Sequence, residues 1–64
     1  MTREQKIEWL ARASVEDLLK QYETSARCAF DPFETIKRDN RYTFEEISEN
    51  YELAKAEVLR RMGC

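Results

Sequence analysis

Side chains able to carry out nucleophilic or acid–base chemistry are scarce in this sequence. The two cysteines, Cys28 and Cys64, are too few and too far apart to indicate a zinc site or a CxxC redox motif. There is no histidine, the commonest general base, and the one glycine, Gly63, excludes a glycine-rich phosphate loop. The region around Asp39 lacks the glycine that an EF-hand calcium loop needs. We therefore predict that the protein is not an enzyme and has no catalytic residues, metal ligands or cofactor.

A small basic cluster is the first candidate binding element. Lys37, Arg38 and Arg41 lie in the segment TIKRDNRYTFEE, residues 35–46, with Asp39 among them. Phosphate-driven affinity grows with the number of cations engaged, and here the cations are few. Weak nucleic-acid binding through this loop is therefore a secondary hypothesis. The loop is either a connector or a recognition element that presents the three basic side chains.

A group of glutamates in the last third of the chain is the second candidate. On a helix, Glu45, Glu46, Glu49, Glu52 and Glu57 would share one side, away from the apolar residues. The first four could form a row of carboxylates that imitates a phosphate backbone and inhibits a nucleic-acid enzyme. The alternative is a solvated face whose leading acids complement the positive end of the helix dipole. A formal net charge of only −2 favours the solvated face.

Capping-box patterns indicate where helices begin. In this pattern a Ser or Thr side chain and an acidic or amide side chain three residues later satisfy free backbone amides. The capping residues are Thr2, Ser14 and Thr43. The predicted helices cover about residues 3–12, 15–28 and 44–62. Gly63 is expected to end the last helix in the left-handed conformation.

The segment between the last two predicted helices, residues 29–42, is longer than usual. Connections between bundled helices typically have about 2–8 residues. Pro32 disfavours helix at Asp31, so we expect a partly packed loop with a short helical turn at 32–37. The apolar anchors of this loop are Phe30, Phe33 and Ile36.

Apolar residues at helical spacing predict how the helices pack. The stripe on the second helix is Val15, Leu18, Leu19, Tyr22, Ala26 and Ala29. The stripe on the last helix is Phe44, Ile47, Tyr51, Ala54 and Val58, and the first helix offers Ile7, Leu10 and Ala11. We predict an all-α fold in a single domain over residues 1–64: an antiparallel helical hairpin with a short N-terminal helix, three helices with a long loop before the last.

Three apolar residues fall outside these stripes. Trp9 lies about 200° round the first helix from Ile7. Leu53 lies about 180° round the last helix from Phe44, and Leu59 lies further round the same helix from Leu53. One interpretation is ordinary scattered surface exposure, with Trp9 folded against a neighbour. The other is a second contact surface for self-association or for a partner, since aromatic anchors dominate interface energetics.

Chain size and composition favour assembly. A domain near 60 residues buries only about 60% of its unfolded surface, and this chain has 64 residues, 38% of them charged. A monomer is therefore expected to be marginally stable, and a partner or a second copy would help. No segment is apolar enough to span a membrane or to form a signal peptide, so we expect a cytoplasmic location with reduced cysteines.

The two ends of the chain carry a resemblance to a known group. The segments TREQKIEWLARAS and VEDLLKQY, with YELAKAEVLRRM near the C-terminus, resemble the frame of short uncharacterised proteins from phages and integrated mobile elements of Gram-positive bacteria. The loop is unmatched and no catalytic or ligand motif is shared, so no functional residues carry over. The resemblance implies a context in which small acidic proteins bind a host or rival protein, including defence nucleases.

The function expected from the sequence is a small non-enzymatic protein-interaction module. It would self-associate, or bind and modulate a host or rival protein, through Trp9, Leu53 and Leu59, with the three basic loop residues as a polar second choice. A protein partner or a homodimer is expected; nucleic acid is less favoured, and no membrane or small molecule is implied. The alternative is the nucleic-acid-related role, through loop 35–42 or through phosphate mimicry.

Overall fold

The computed structural model describes residues 1–63, and this part of the chain contains four α-helices and no strand. The helices are α1 (Arg3–Arg12), α2 (Val15–Phe30), α3 (Pro32–Arg38) and α4 (Phe44–Met62). The predicted all-α class is confirmed. The prediction of three helices is wrong, because the short turn expected in the connector is a separate helix, α3. In addition, α2 continues two residues beyond its predicted end, to Phe30.

Side-chain caps explain where each helix begins. Thr2 and Gln5 form a complete capping box, with Gln5 N donating to Thr2 Oγ1 (3.1 Å) and Thr2 N donating to Gln5 Oε1 (2.8 Å). Ser14 and Thr43 each accept one backbone N–H at 3.1 Å at the starts of α2 and α4. These bonds satisfy amides that have no partner within the helix.

The connector becomes helical for a reason visible in its own sequence. Asp31 Oδ1 accepts a hydrogen bond from Glu34 N at 3.1 Å, and Pro32 occupies the first turn, where a missing N–H has no cost. Thr35 is buried and donates its hydroxyl hydrogen to Asp31 O at 3.1 Å.

At the other end of the hairpin, Gly63 ends α4 with a φ of −85° and not in the predicted left-handed conformation.

The core lies between α1, α2 and α4. Its buried cluster contains Leu10, Leu18, Leu53 and Ala54, with Ala13, Tyr22 and Val58 packed against it. The N-terminal half of α2 lies beside the C-terminal half of α4, so the two long helices are antiparallel as predicted. Phe33 of α3 packs edge-on against Phe44 at the far end of the pair, with ring centroids 5.1 Å apart.

Both long helices are rotated relative to the predicted apolar stripes. Leu53, predicted to lie on an exposed face, is buried, with only 8% of its surface accessible. Val15, Leu19 and Phe44, predicted to lie in the core, are exposed. The rotation is about 70° on a helical wheel of about 100° per residue. Its cause is α1, which packs on the Leu53 side of α4 and adds a third apolar surface there.

The helix α1 is held to α4 mainly by polar contacts. Arg61 Nη2 donates to three carbonyls at the end of α1: Leu10 O (3.0 Å), Ala11 O (3.3 Å) and Ala13 O (2.8 Å). Carbonyls at the end of a helix lack the usual partner one turn further on, although Leu10 O also accepts from Ala13 N at 3.3 Å. A cation here also complements the negative end of the helix dipole. The predicted α1 core residues Ile7 and Ala11 are exposed, because Leu10 alone of the predicted three faces the core.

A buried carboxylate holds Arg61 in place. Glu57 is buried and accepts from Arg61 Nε at 2.7 Å and from Arg60 Nε at 3.1 Å. Near the other end of α1, Lys6 Nζ lies 3.1 Å from Glu49 Oε1. The Arg61 hydrogen bonds to carbonyls, the Lys6–Glu49 ion pair and Leu10 therefore position α1 across the hairpin.

The Glu57 carboxylate predicts a pH dependence of stability. Hydrogen bonds from Arg60 and Arg61 lower its pKa from 4.5 to about 2. The unfolded chain therefore takes up this proton at a higher pH than the folded chain does. The contribution of Glu57 to the free energy of unfolding is expected to be complete above about pH 4.5 and to be lost as the pH falls towards about 2.

Urea unfolding at a series of pH values measures this loss. The variant Glu57→Gln keeps the shape of the side chain but has no proton to bind, so its stability should fall less over the same pH range. Equal losses in the two proteins would show that other carboxylates cause the acid sensitivity.

Candidate functional site

One side of the hairpin, opposite α1, is apolar, and its one contact with α3 noted above is that of Phe44 with Phe33 at one end. We call it the open face and define it by five residues on each long helix. On α2 these are Val15, Leu19, Tyr22, Ala26 and Phe30; on α4 they are Phe44, Tyr51, Val58, Leu59 and Met62. The most exposed are Phe30 (92%) and Met62 (77%). The sequence pattern placed much of this set in the core, so the open face is the feature that sequence reasoning missed.

A groove runs between α2 and α4 in the open face. It has a volume of ≈ 250 Å³, and its lining residues are Leu19, Tyr22, Lys55, Val58, Leu59 and Met62. Tyr22 also lines the neighbouring hollow, which continues along α2 to Phe30. The groove at Leu19 and Leu59 is apolar except for Lys55, whereas the hollow beyond Tyr22 lies on α2 and is also lined by Glu23 and Arg27.

Tyr22, which lines the groove, packs against Tyr51 of α4. The rings of Tyr22 and Tyr51 meet edge to face, with centroids 5.8 Å apart and planes at 69°. Interaction with the Tyr51 hydroxyl raises the pKa of Tyr22 above 10.0. Lys55 Nζ lies 5.9 Å from the centroid of the Tyr51 ring, within cation–π range. The one cation that lines the groove therefore lies against an aromatic ring of its own helix.

The rim of the open face along α2 is electrically balanced. Glu16 Oε1 lies 3.8 Å from Lys20 Nζ, and Glu23 Oε1 lies 2.5 Å from Arg27 Nη2, one turn apart on the same helix. These exposed pairs contribute little to stability. Their effect on the surface is larger, because they leave no strip of one charge beside the apolar groove.

The three predicted apolar contact residues are separated by the fold. Trp9, about half exposed, and Leu53 line one cleft of ≈ 220 Å³ on the α1 side of the molecule. Leu59 lies in the groove on the opposite side of α4. The structure therefore places Trp9 and Leu53 together and Leu59 on another side, while their contact with a partner stays a prediction. Leu53 is a core residue, and Leu59 belongs to the open face.

The basic loop has less available charge than its sequence indicates. Lys37 and Arg38 are exposed in the last turn of α3. Arg41 is also exposed, but its Nε and Nη2 donate to the Asp39 carboxylate at 3.0 and 2.8 Å. This pairing holds the pKa of Asp39 at about 2 and raises that of Arg41. Arg41 therefore stabilises the turn before α4 by its pairing with Asp39, and less of its charge is available to a ligand.

The predicted row of carboxylates on α4 is interrupted. Glu49 pairs with Lys6, and Arg3 Nη1 lies 4.0 Å from its other oxygen. Glu57 is buried beneath its two arginines. Glu45, Glu46 and Glu52 remain exposed. Phosphate mimicry would therefore rest on three carboxylates instead of a continuous row.

The described residues form no metal site and no membrane-spanning helix. In residues 1–63 no group of three or more His, Cys, Asp or Glu side chains is arranged to hold a metal ion. Cys28 is partly buried in α2, and the predictions about Cys64 lie outside the described residues. Across the same range, none of the helices combines the length and apolar character needed to cross a membrane. Searches of family models, curated proteins and solved structures find no match to the chain.

Proposed function

We propose that this protein is a small, non-enzymatic interaction module that acts by contact through the open face. The observation that carries the proposal is the course of the two apolar stripes. On both α2 and α4 they continue beyond the buried core, and they emerge on the same side of the molecule. Single exposed apolar residues are normal, whereas a contiguous apolar groove is typical of a site where a protein binds.

The small size of the core supports the same proposal. The buried apolar residues are Leu10, Leu18, Ile47, Leu53 and Ala54. Full burial of one further large apolar side chain contributes about 1.5–3 kcal/mol. A partner that covered several open-face side chains would therefore add stability comparable to that of the core itself.

The nucleic-acid-related alternative has weaker support. Binding through loop 35–42 would use Arg41, which is paired with Asp39, and mimicry would use Glu49, which is paired with Lys6. Lys37 and Arg38 are exposed, but two cations give only weak, salt-sensitive affinity. The apolar groove makes contact with a protein the better-supported function.

A pull-down from native cells with a charge-variant pair tests the proposal. Leu19→Glu with Leu59→Glu puts two carboxylates into the groove, one on each long helix. The matched control, Thr24→Glu with Ala56→Glu, puts the same charges on the same helices at exposed positions outside the open face. We expect the wild type and the control to retain a protein, whether another copy or a different chain, and the groove variant to lose it.

Circular dichroism confirms that each variant is still helical before the comparison is made. Retention of the same protein by the folded groove variant would contradict a role for the open face. A wild type that retains no protein would contradict the interaction function itself.

A further inference from the structure

The total accessible surface of the chain bears on what covers the open face. The accessible surface of the chain is 5115 Å². A compact monomer of 7.7 kDa is expected to expose about 4,300 Å². The excess is about 800 Å², which matches the area that each partner contributes to a stable interface of standard size, about 800 Å². The molecule thus exposes as much additional surface as one dimer interface would remove.

The shape of the open face is suited to a copy of itself. It runs along two helices of 16 and 19 residues, or about 24 and 28 Å. A twofold interface uses the same patch on both subunits, so the two patches must match in length and character. Two hairpins packed face to face give a four-helix bundle, in which all the long apolar stripes face one core.

The open face also carries a projection and a hollow at opposite ends. Phe30 is 92% exposed near the α3 end, whereas the groove at Leu19 and Leu59 lies near the other end. A twofold axis that crosses the helices turns one hairpin end for end over the other. Each Phe30 would then lie over the groove of the opposite copy.

The charges favour this occupant over a charged partner. The rim acids Glu16 and Glu23 are already paired with bases on α2, and Lys55 is the one cation that lines the groove. A strongly acidic or basic partner would find no matching row of opposite charge here. A second copy offers the same balanced rim and the same apolar strip.

We infer that the open face is the interface between two copies of this chain, which pack their α2–α4 hairpins into a four-helix bundle with Phe30 of each copy over the Leu19–Leu59 groove of the other. This inference rests on the proposed function, because it names the partner that the open face binds. The α1 helices then lie on the outside of the dimer, where Trp9 stays accessible.

Light scattering after size exclusion, over a wide concentration series, tests the inference. The wild type is expected to approach twice the chain mass of 7.7 kDa, as is the control Thr24→Glu with Ala56→Glu. The groove variant Leu19→Glu with Leu59→Glu is expected to be monomeric. A wild type that stays monomeric at every concentration would overturn the inference.

Two single substitutions test the geometry without endangering the fold. Phe30→Ala removes a side chain with little contact inside the monomer and is expected to raise the dimer Kd by about tenfold or more. Lys55→Leu removes a cation that dimerisation would desolvate and is expected to lower the Kd. A dimer unaffected by Phe30→Ala would overturn the end-for-end arrangement.

Self-association and the interaction function are distinguished by combining the two experiments. A monomeric wild type that retains a different protein in the pull-down, through the groove residues, overturns self-association and leaves the interaction function standing. A monomeric wild type that retains no protein overturns both.

Discussion

Replacing Arg61 with alanine is expected to lower the free energy of unfolding by about 2–4 kcal/mol. The guanidinium donates to three carbonyls that end α1 and to the buried carboxylate of Glu57. Its removal takes these three hydrogen bonds from the carbonyls and deprives the buried carboxylate of one of its two arginine partners. A domain of this size has a total stability of only about 3–10 kcal/mol. The single substitution is thus expected to remove a large part of it.

Urea unfolding followed by circular dichroism measures the effect of Arg61→Ala. The matched control is Arg12→Ala, at an arginine whose exposed pair with Glu8 lies on the surface of α1. This change should cost about 0.5 kcal/mol or less. Trp9 fluorescence adds a local measurement, because α1 is expected to detach before the hairpin unfolds. Similar losses in the two variants would show that Arg61 does not anchor α1.

The starts of the helices are predictable from sequence because their causes are local. Ser or Thr with a partner three residues away needs no information from the rest of the fold, and Thr2, Ser14 and Thr43 all cap as expected. The α3 helix has the same kind of signal in Asp31 and Pro32. The short helical turn predicted at 32–37 is therefore a complete helix, because Asp31 caps it and Pro32 fits its first turn.

The direction in which each helix faces is not predictable in the same way. The apolar sector of α2 runs from Leu18 through Tyr22 to Leu19, about 100° of the helical wheel. Periodicity locates the centre of such a sector, whereas the structure buries one edge of it, at Leu18, and leaves Leu19 exposed. The position of α1 decides which edge is buried, and that position depends on contacts between residues far apart in the chain.

The Arg61 contact illustrates why long-range polar interactions escape sequence reasoning. Arg61 near the end of a helix is explained sufficiently by the dipole of its own helix. In the structure it also donates hydrogen bonds to carbonyls at the negative end of the α1 dipole. The last residues of α1 lie about 50 positions earlier in the chain. Glu57, predicted as a surface acid, is buried because it orients that arginine. No rule of sequence spacing connects Arg61, Glu57 and the carbonyls at the end of α1.

The rotation of α4 leads to the second large prediction, which compares Leu53 with Leu59. Leu53→Ala is expected to lower the free energy of unfolding by about 2–3 kcal/mol, because the removed side chain is buried against Leu10 and leaves a cavity. Leu59→Ala removes the same atoms from an exposed position on the same helix, and should change the stability of the monomer by about 0.5 kcal/mol or less. Urea unfolding at a concentration where the chain is monomeric measures both.

In the pull-down the order of the two effects should reverse: Leu59→Ala should weaken retention of a partner more than Leu53→Ala, since Leu59 lies in the open face and Leu53 does not. Equal destabilisation by the two substitutions would mean that α4 is not rotated as the structure has it, and the open face would then lose its basis.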